Sequence, residues 1–171
     1  MNSVKILHLA DIHIGAAQSF LGVGANMRRY ETLMTFERII DTAREQNVQV
    51  IAAAGDIFDS NNVPEELIAP VFAKITAVTD IKVVFAAGNH DPLTAESPFK
   101  TRKLPQNLYV LGVTDDCITF DDIKLRVYGR SFESVYMAGE ERFSLAPPDD
   151  DYINLMVLHG DMRLSLIHIS E

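Results

Sequence analysis

Apolar residues gather in short runs along the first half of the chain, and between the runs they recur every three or four positions. Val4 to Ala10, broken only by Lys5 and His8, has the length and apolar density of a buried strand. Gly15, Gly22 and Gly24 mark a loop, and Asn26 offers an N-cap for a helix reaching about Gln46. Tyr30, Leu33, Phe36, Ile40 and Ala43 give that helix one apolar face. Val48 to Ala54 reads as a second buried strand running into Gly55-Asp56, and Pro64 suits the first turn of a helix from Glu65 to about Val78. Ile81 to Ala87 is a third strand, followed by Gly88-Asn89-His90-Asp91. Strand and helix alternate, which predicts a parallel sheet with right-handed crossovers.

The second half changes character. Leu108 to Leu111, Cys117 to Phe120 and Ile123 to Gly129 read as short strands, with Asp121-Asp122 at a hairpin corner. Tyr152 to Leu158 is a further strand that ends at His159-Gly160. No internal repeat or low-complexity linker interrupts the chain. The expected class is α/β, a parallel unit followed by mixed β structure.

Composition narrows the picture a little. The 171 residues are 47% apolar and 23% charged, as in an ordinary folded domain. No stretch reaches the roughly 18 apolar residues of a membrane span, and no secretory signal is visible. Cys117 is the single cysteine, which excludes an internal disulfide, fits the cytoplasm and reads as a buried strand thiol. A net charge of −9 argues against a basic module that coats nucleic acid, but not against a site that meets phosphate through cations. The run Asp149-Asp150-Asp151 reads as a solvated turn and Lys100, Arg102 and Lys103 as a plain surface loop.

The chemistry lies at the strand ends. Four apolar runs each end in groups able to hold a metal: Asp11-x-His13, Gly55-Asp56 with Asp59, Gly88-Asn89-His90-Asp91, and His159-Gly160. The carboxyl ends of parallel strands share one crevice, so these groups converge there. In an extended backbone, Asp11 and His13 point the same way. Carboxylate, imidazole and amide oxygens without thiolate suit Mn²⁺, Fe²⁺ or Zn²⁺. A carboxylate such as Asp56 can bridge two cations, and such a pair clamps phosphate and activates water. His8 reads as a packed or hydrogen-bonded structural histidine, and Asp59 as a turn residue or a support to the ligands.

The order D-x-H, GDxxD, GNHD, H-G resembles the calcineurin-like metallophosphoesterases. Within them, "ILHLADIHIG", "GDIFDS", "AAGNHD" and "VYGRSF" are similar to DNA-repair exonucleases of the SbcD and YhaO kind. The resemblance covers Val4 to about Met162. It implies a sandwich of two mixed β-sheets flanked by helices. It also implies a Mn-dependent nuclease acting on DNA ends with a two-metal-activated water, and for the full-length protein an SbcC-like SMC-type ATPase partner and a possible homodimer. It assigns Asp11 and His13 to one metal, Asp56 to both, and Asn89 and His159 to the other. His90 would act at the leaving oxygen, Asp91 would orient His90, and Asp59 would support the ligands.

One corner departs from the pattern. The G-H-x-H motif that supplies a further histidine to each metal is absent. The terminal "LSLIHISE", Leu164 to Glu171, resembles the translation of a transposase-end sequence used in sequencing libraries. The expected organisation is therefore a C-terminally truncated domain over residues 1–163 with a non-native tail, weakened in metal binding and turnover, and His168 is not counted as a ligand. A phosphatase, a phosphodiesterase for cyclic nucleotides or small esters, and a non-catalytic scaffold of the same superfamily are the alternatives.

Overall fold

The structure, a computed structural model, describes residues 3–16, 24–113, 115–135 and 151–160, with 24–28 as backbone alone. The elements run β1 (Ile6–Leu9), α1 (Gly24–Glu45), β2 (Val50–Ala54), α2 (Glu65–Thr76), β3 (Lys82–Ala86), α3 (Pro98–Thr101), β4 (Leu108–Val110), β5 (Cys117–Phe120), β6 (Leu125–Arg130) and β7 (Ile153–Leu158). The tail from Leu164 and the pair Asp149-Asp150 lie outside the described residues.

Two sheets flanked by helices result, as the resemblance implied, although only one of them is mixed among the described residues. The first has the order β1-β2-β3-β4 and its described pairs are all parallel; the second, β5-β6-β7, is mixed. β4, expected among the mixed β elements, instead extends the parallel sheet. β2 shows how one strand serves two cores, because alternate side chains leave opposite faces. Ile51 and Ala53 pack under the helices with Leu33, Phe36, Ile40, Leu67 and Val71. Val50, Ala52 and Ala54 face the second sheet with Leu125, Val127 and Val157.

Helix α1 begins at Gly24, two residues before the expected cap. Its buried face is Leu33, Phe36, Ile40 and Ala43, whereas Tyr30 is exposed and its hydroxyl donates to the Glu66 carboxylate. Cys117 is half-buried at the end of the short β5, not enclosed. In the basic loop, Arg102 pairs with Glu65 and lies over the Phe72 ring, so one of its three cations holds the fold.

Candidate metal centre

The loops after β1 and β2 are zipped together by their backbones. The Asp11 N–H donates to the Gly55 carbonyl, His13 N–H to Asp56, Ile14 N–H to Ile57, and Asp59 N–H back to Ile14. Asp11, His13 and Asp56 all have positive φ, between 50° and 55°. This corrects the strand-period argument: β1 ends at Leu9, and the Asp11-x-His13 segment is not extended. The two side chains nevertheless meet, with His13 Nε2 4.0 Å from Asp11 Oδ1. Left-handed conformations cost non-glycine residues about 1–2 kcal/mol each. The backbone ladder and the burial of Ile14 and Phe58 beneath it hold them.

A buried carboxylate ties the third loop to the second. Asp91, with no exposed surface, accepts four backbone N–H groups: Gly88 at 2.8 Å, Ile57 at 2.8 Å, Asp56 at 3.1 Å and Phe58 at 3.1 Å. Both of its oxygens are therefore occupied, and it does not orient the His90 ring as the resemblance implied. Burial raises the Asp91 pKa above the ordinary carboxylate range, while the amide donors, which favour the ionised form, oppose it. His90 is instead held through Nδ1 by the Asp59 carbonyl, at 3.1 Å. The Asp59 carboxylate accepts from His13 Nδ1 at 3.2 Å. Asp59 thus sets the tautomer of both rings, leaving each Nε2 free to act.

Each remaining ligand candidate is placed by a similar constraint. The His90 N–H donates to Asp56 Oδ1 at 3.0 Å and so fixes that carboxylate. Asp56 Oδ2 then lies 3.7 Å from His13 Nε2 and 3.3 Å from His159 Nε2. His159 Nδ1 donates to the Ala54 carbonyl at 2.9 Å, so its Nε2 presents a lone pair. That lone pair faces Asn89 Oδ1 at 3.1 Å as well as Asp56. Two glycines make room for this approach. A Cβ on Gly55 would sit 2.4 Å from His159 Cγ, and one on Gly88 would sit 2.1 Å from Asp56 Oδ1.

The donor chemistry fits divalent cations. Asp11, His13 and Asp56 offer ligand atoms mutually within 4.8 Å. His159 Nε2 forms a second set of acceptors with Asp56 Oδ2 and Asn89 Oδ1, at 3.3 Å and 3.1 Å. Acceptors crowded together without a donor between them repel unless a cation lies among them. No Lys or Arg lines this cleft among the described residues. His13, Asp59 and His90 also cluster closely, but Asp59 there accepts from the ring nitrogens and acts as their support.

The cleft holds about 710 Å³. Besides the expected groups, it is lined by His8, Phe132, Val135 and Leu158. His8 is exposed on the cleft wall, not packed as expected. Sequence reasoning gave no role to Phe132 either, although it follows an apolar strand as each ligand motif does.

Comparison with known proteins places the chain in a family. The calcineurin-like phosphoesterase profile matches residues 4–168, and the chain belongs to that family. The match runs five residues beyond the boundary expected at Arg163. The DNA double-strand break repair protein Mre11 of Sulfolobus acidocaldarius is 28% identical over 170 residues, covering 95% of this chain and 43% of its own length. The protein of the same name from Aeropyrum pernix is 34% identical over 89 residues, covering 51% of this chain and 21% of its own. The chain thus spans less than half the length of these relatives. The crystal structure of the Pseudomonas putida nuclease MPE aligns with a TM-score of 0.45 at 19% identity, covering 73% of this chain and 52% of that one.

Proposed function

We propose that the chain is part of a metal-dependent phosphodiesterase, the nuclease subunit of a DNA double-strand break repair exonuclease. The observation that carries the reading is Asp56 Oδ2, a single carboxylate oxygen facing two histidine Nε2 atoms brought by different strands, at 3.7 Å and 3.3 Å. Asp11 and His13 would hold one cation with Asp56, and Asn89 and His159 a second with the same residue. Divalent cations there supply Lewis-acid charge for the phosphate and lower the pKa of water; Mn²⁺ is the expected metal, with Fe²⁺ or Zn²⁺ compatible.

The protein's own groups do the rest. His90 leans edge-on against His13, with ring centroids 4.7 Å apart, and its Nε2 is left open by the Asp59 hydrogen bond. An imidazolium so placed, protonated on Nε2 as well as on the Nδ1 held by Asp59, delivers its Nε2 proton to the oxygen that leaves phosphorus and becomes the neutral ring. Asp59 aligns donor and ligand together, so the proton source and the metal ligand keep a fixed mutual geometry. Asp91, which touches no ring, supports catalysis by holding the two ligand loops in register.

DNA as substrate, an SbcC-like SMC-type ATPase as partner, a homodimer and the cytoplasm as location belong to the same proposal. They are supported by the Mre11 relatives and the nuclease-like motifs. No helix among the described residues is long and apolar enough to cross a membrane. The boundary at Arg163 and the non-native character of Leu164–Glu171 complete it, and resequencing the gene across that segment tests them.

The decisive experiment compares Mn²⁺-dependent cleavage of linear DNA with hydrolysis of a small phosphodiester and of a phosphomonoester. Cleavage is expected from the gene completed with the missing histidine motif, and His90→Ala should lose most of it, about 10²–10⁴-fold. Retained DNA cleavage by His90→Ala would overturn the role of His90. Full Mn²⁺-dependent nuclease activity from the 171-residue chain itself would overturn the incomplete site.

A further inference from the structure

One wall of the cleft is apolar, and a phosphate has no use for it. Phe132 and Val135, in the connection after β6, line the same cavity as Asp11, Asp56, Asn89 and His159. Val135 is 55% exposed on the wall of this cavity. Phe132 is half-buried, its ring meeting the His159 ring edge-on at 5.8 Å between centroids.

The wall is rigidly registered to the metal centre. The Phe132 N–H donates to the Ala87 carbonyl at 3.0 Å, and its own carbonyl accepts from Leu93 N–H at 2.7 Å. Ala87 and Leu93 flank the Gly88-Asn89-His90-Asp91 loop on either side. Ser131, buried next to it, accepts from Ala87 N–H at 2.8 Å and donates to the Leu111 carbonyl at 2.6 Å. An aromatic ring is thereby held at a fixed place beside the group that would bind phosphate, which is preorganisation. The cavity of about 710 Å³ is far larger than a phosphate and suits a nucleotide.

We propose that Phe132 and Val135 form the subsite that takes the nucleobase of a nucleotide whose phosphate the metal centre holds. Every base presents a flat π-face, so an aromatic ring here recognises nucleotides as a class without reading their sequence. This names the substrate class of the site and rests on the phosphoesterase reading.

The test uses the 171-residue chain in Mn²⁺ and calorimetric titration with two probes, thymidine 5′-monophosphate and methyl phosphate. The nucleotide should bind about 10-fold more tightly. Phe132→Leu, which keeps apolar bulk against His159, should erase that advantage; Phe132→Tyr should keep it. Val135→Ser, at an exposed position with no bearing on folding, should lower nucleotide affinity about threefold. Methyl phosphate and Mn²⁺ should bind all three variants as they bind the parent. Equal affinities for the two probes in the parent chain would overturn the subsite. So would an equal loss of both probes in Phe132→Leu, which would make the ring a prop for His159 alone. Failure of both probes to bind the parent chain at Mn²⁺ concentrations where Mn²⁺ binding itself is seen overturns the phosphate-binding reading of this centre, and the subsite with it.

Discussion

The two sheets furnish the cleft in different ways. The parallel sheet delivers Asp11, His13, Asp56, Asn89 and His90 from loops directly after β1, β2 and β3, and those loops are bonded to one another through backbone amides and Asp91. The mixed sheet delivers His159 and the Phe132 wall, which attach to those loops from the second sheet: the Phe132 backbone bonds to Ala87 and Leu93, and His159 Nδ1 to the Ala54 carbonyl. His159 reaches Asp56 because β7 packs across β2, with Val157 buried against Ala52 and Ala54. One half of the site is thus built by local connectivity and the other by docking. Ligand loops that share a backbone network should tolerate loss of one ligand, while a docked ligand should depend on the shape of the gap it enters.

The contrast can be broken at its strongest point first. Asp91→Ala leaves four buried N–H groups without an acceptor, and each unsatisfied group costs about 1–3 kcal/mol. We expect a loss of at least about 3 kcal/mol in urea unfolding, in the range of a broken buried ionic contact. Unchanged stability would show that the first half does not depend on this carboxylate.

A substitution at the seam is the next largest. Gly55→Ala introduces a Cβ against His159 and strains a backbone at φ +83°. The strain alone costs about 1–2 kcal/mol, and displacement of His159 should weaken one of the two proposed cation sites while sparing the one proposed for Asp11 and His13. Calorimetry that finds two sites still intact would place His159 elsewhere.

Asp59→Ala sharpens the comparison from the other side. It removes the acceptor that orients His13, and loss of such a support typically costs about 10–100-fold in metal affinity. The site containing His159 should be unaffected.

The smallest effect lies at the surface where the sheets approach. Lys82 Nζ pairs with Asp122 Oδ2 at 2.6 Å, and Lys82 also lies over the Phe120 ring. The Lys82 hydrogen bond lowers the Asp122 pKa, so the pair stabilises above the ordinary carboxylate range and its contribution fades as pH falls through the lowered value. Lys82→Met should cost about 0.2–1 kcal/mol at neutral pH and less in acid, by thermal or urea unfolding.

Much of the parallel half is legible in the chain because its signals are local. Apolar runs of strand length, a 3.6-residue stripe on α1 and a polar group straight after each run need no distant partner to be recognised. What fails to show is whatever depends on a neighbour. Tyr30 continues the apolar stripe yet is exposed, since its turn of α1 faces Glu66. β4 gives no sign of which sheet it joins; pairing Val83, Val84 and Phe85 of β3 with Leu108, Tyr109 and Val110 decides it. Phe132 looks like any residue after a strand until Ala87 and Leu93 clasp its backbone.

The chain by itself determined the α/β alternation, the positions of the four candidate motifs and the residue types able to hold metal, because strand length, helix period and donor chemistry are properties of short segments. Tertiary structure alone decided what each motif residue does. Asp91 gathers amides because it is fully buried, and a buried carboxylate must find donors. Asp59, half-exposed and reached by two rings, orients them instead. Asp11 and His13 converge through left-handed backbone, not through the strand pleat, because the neighbouring loop's hydrogen bonds outweigh their local preference.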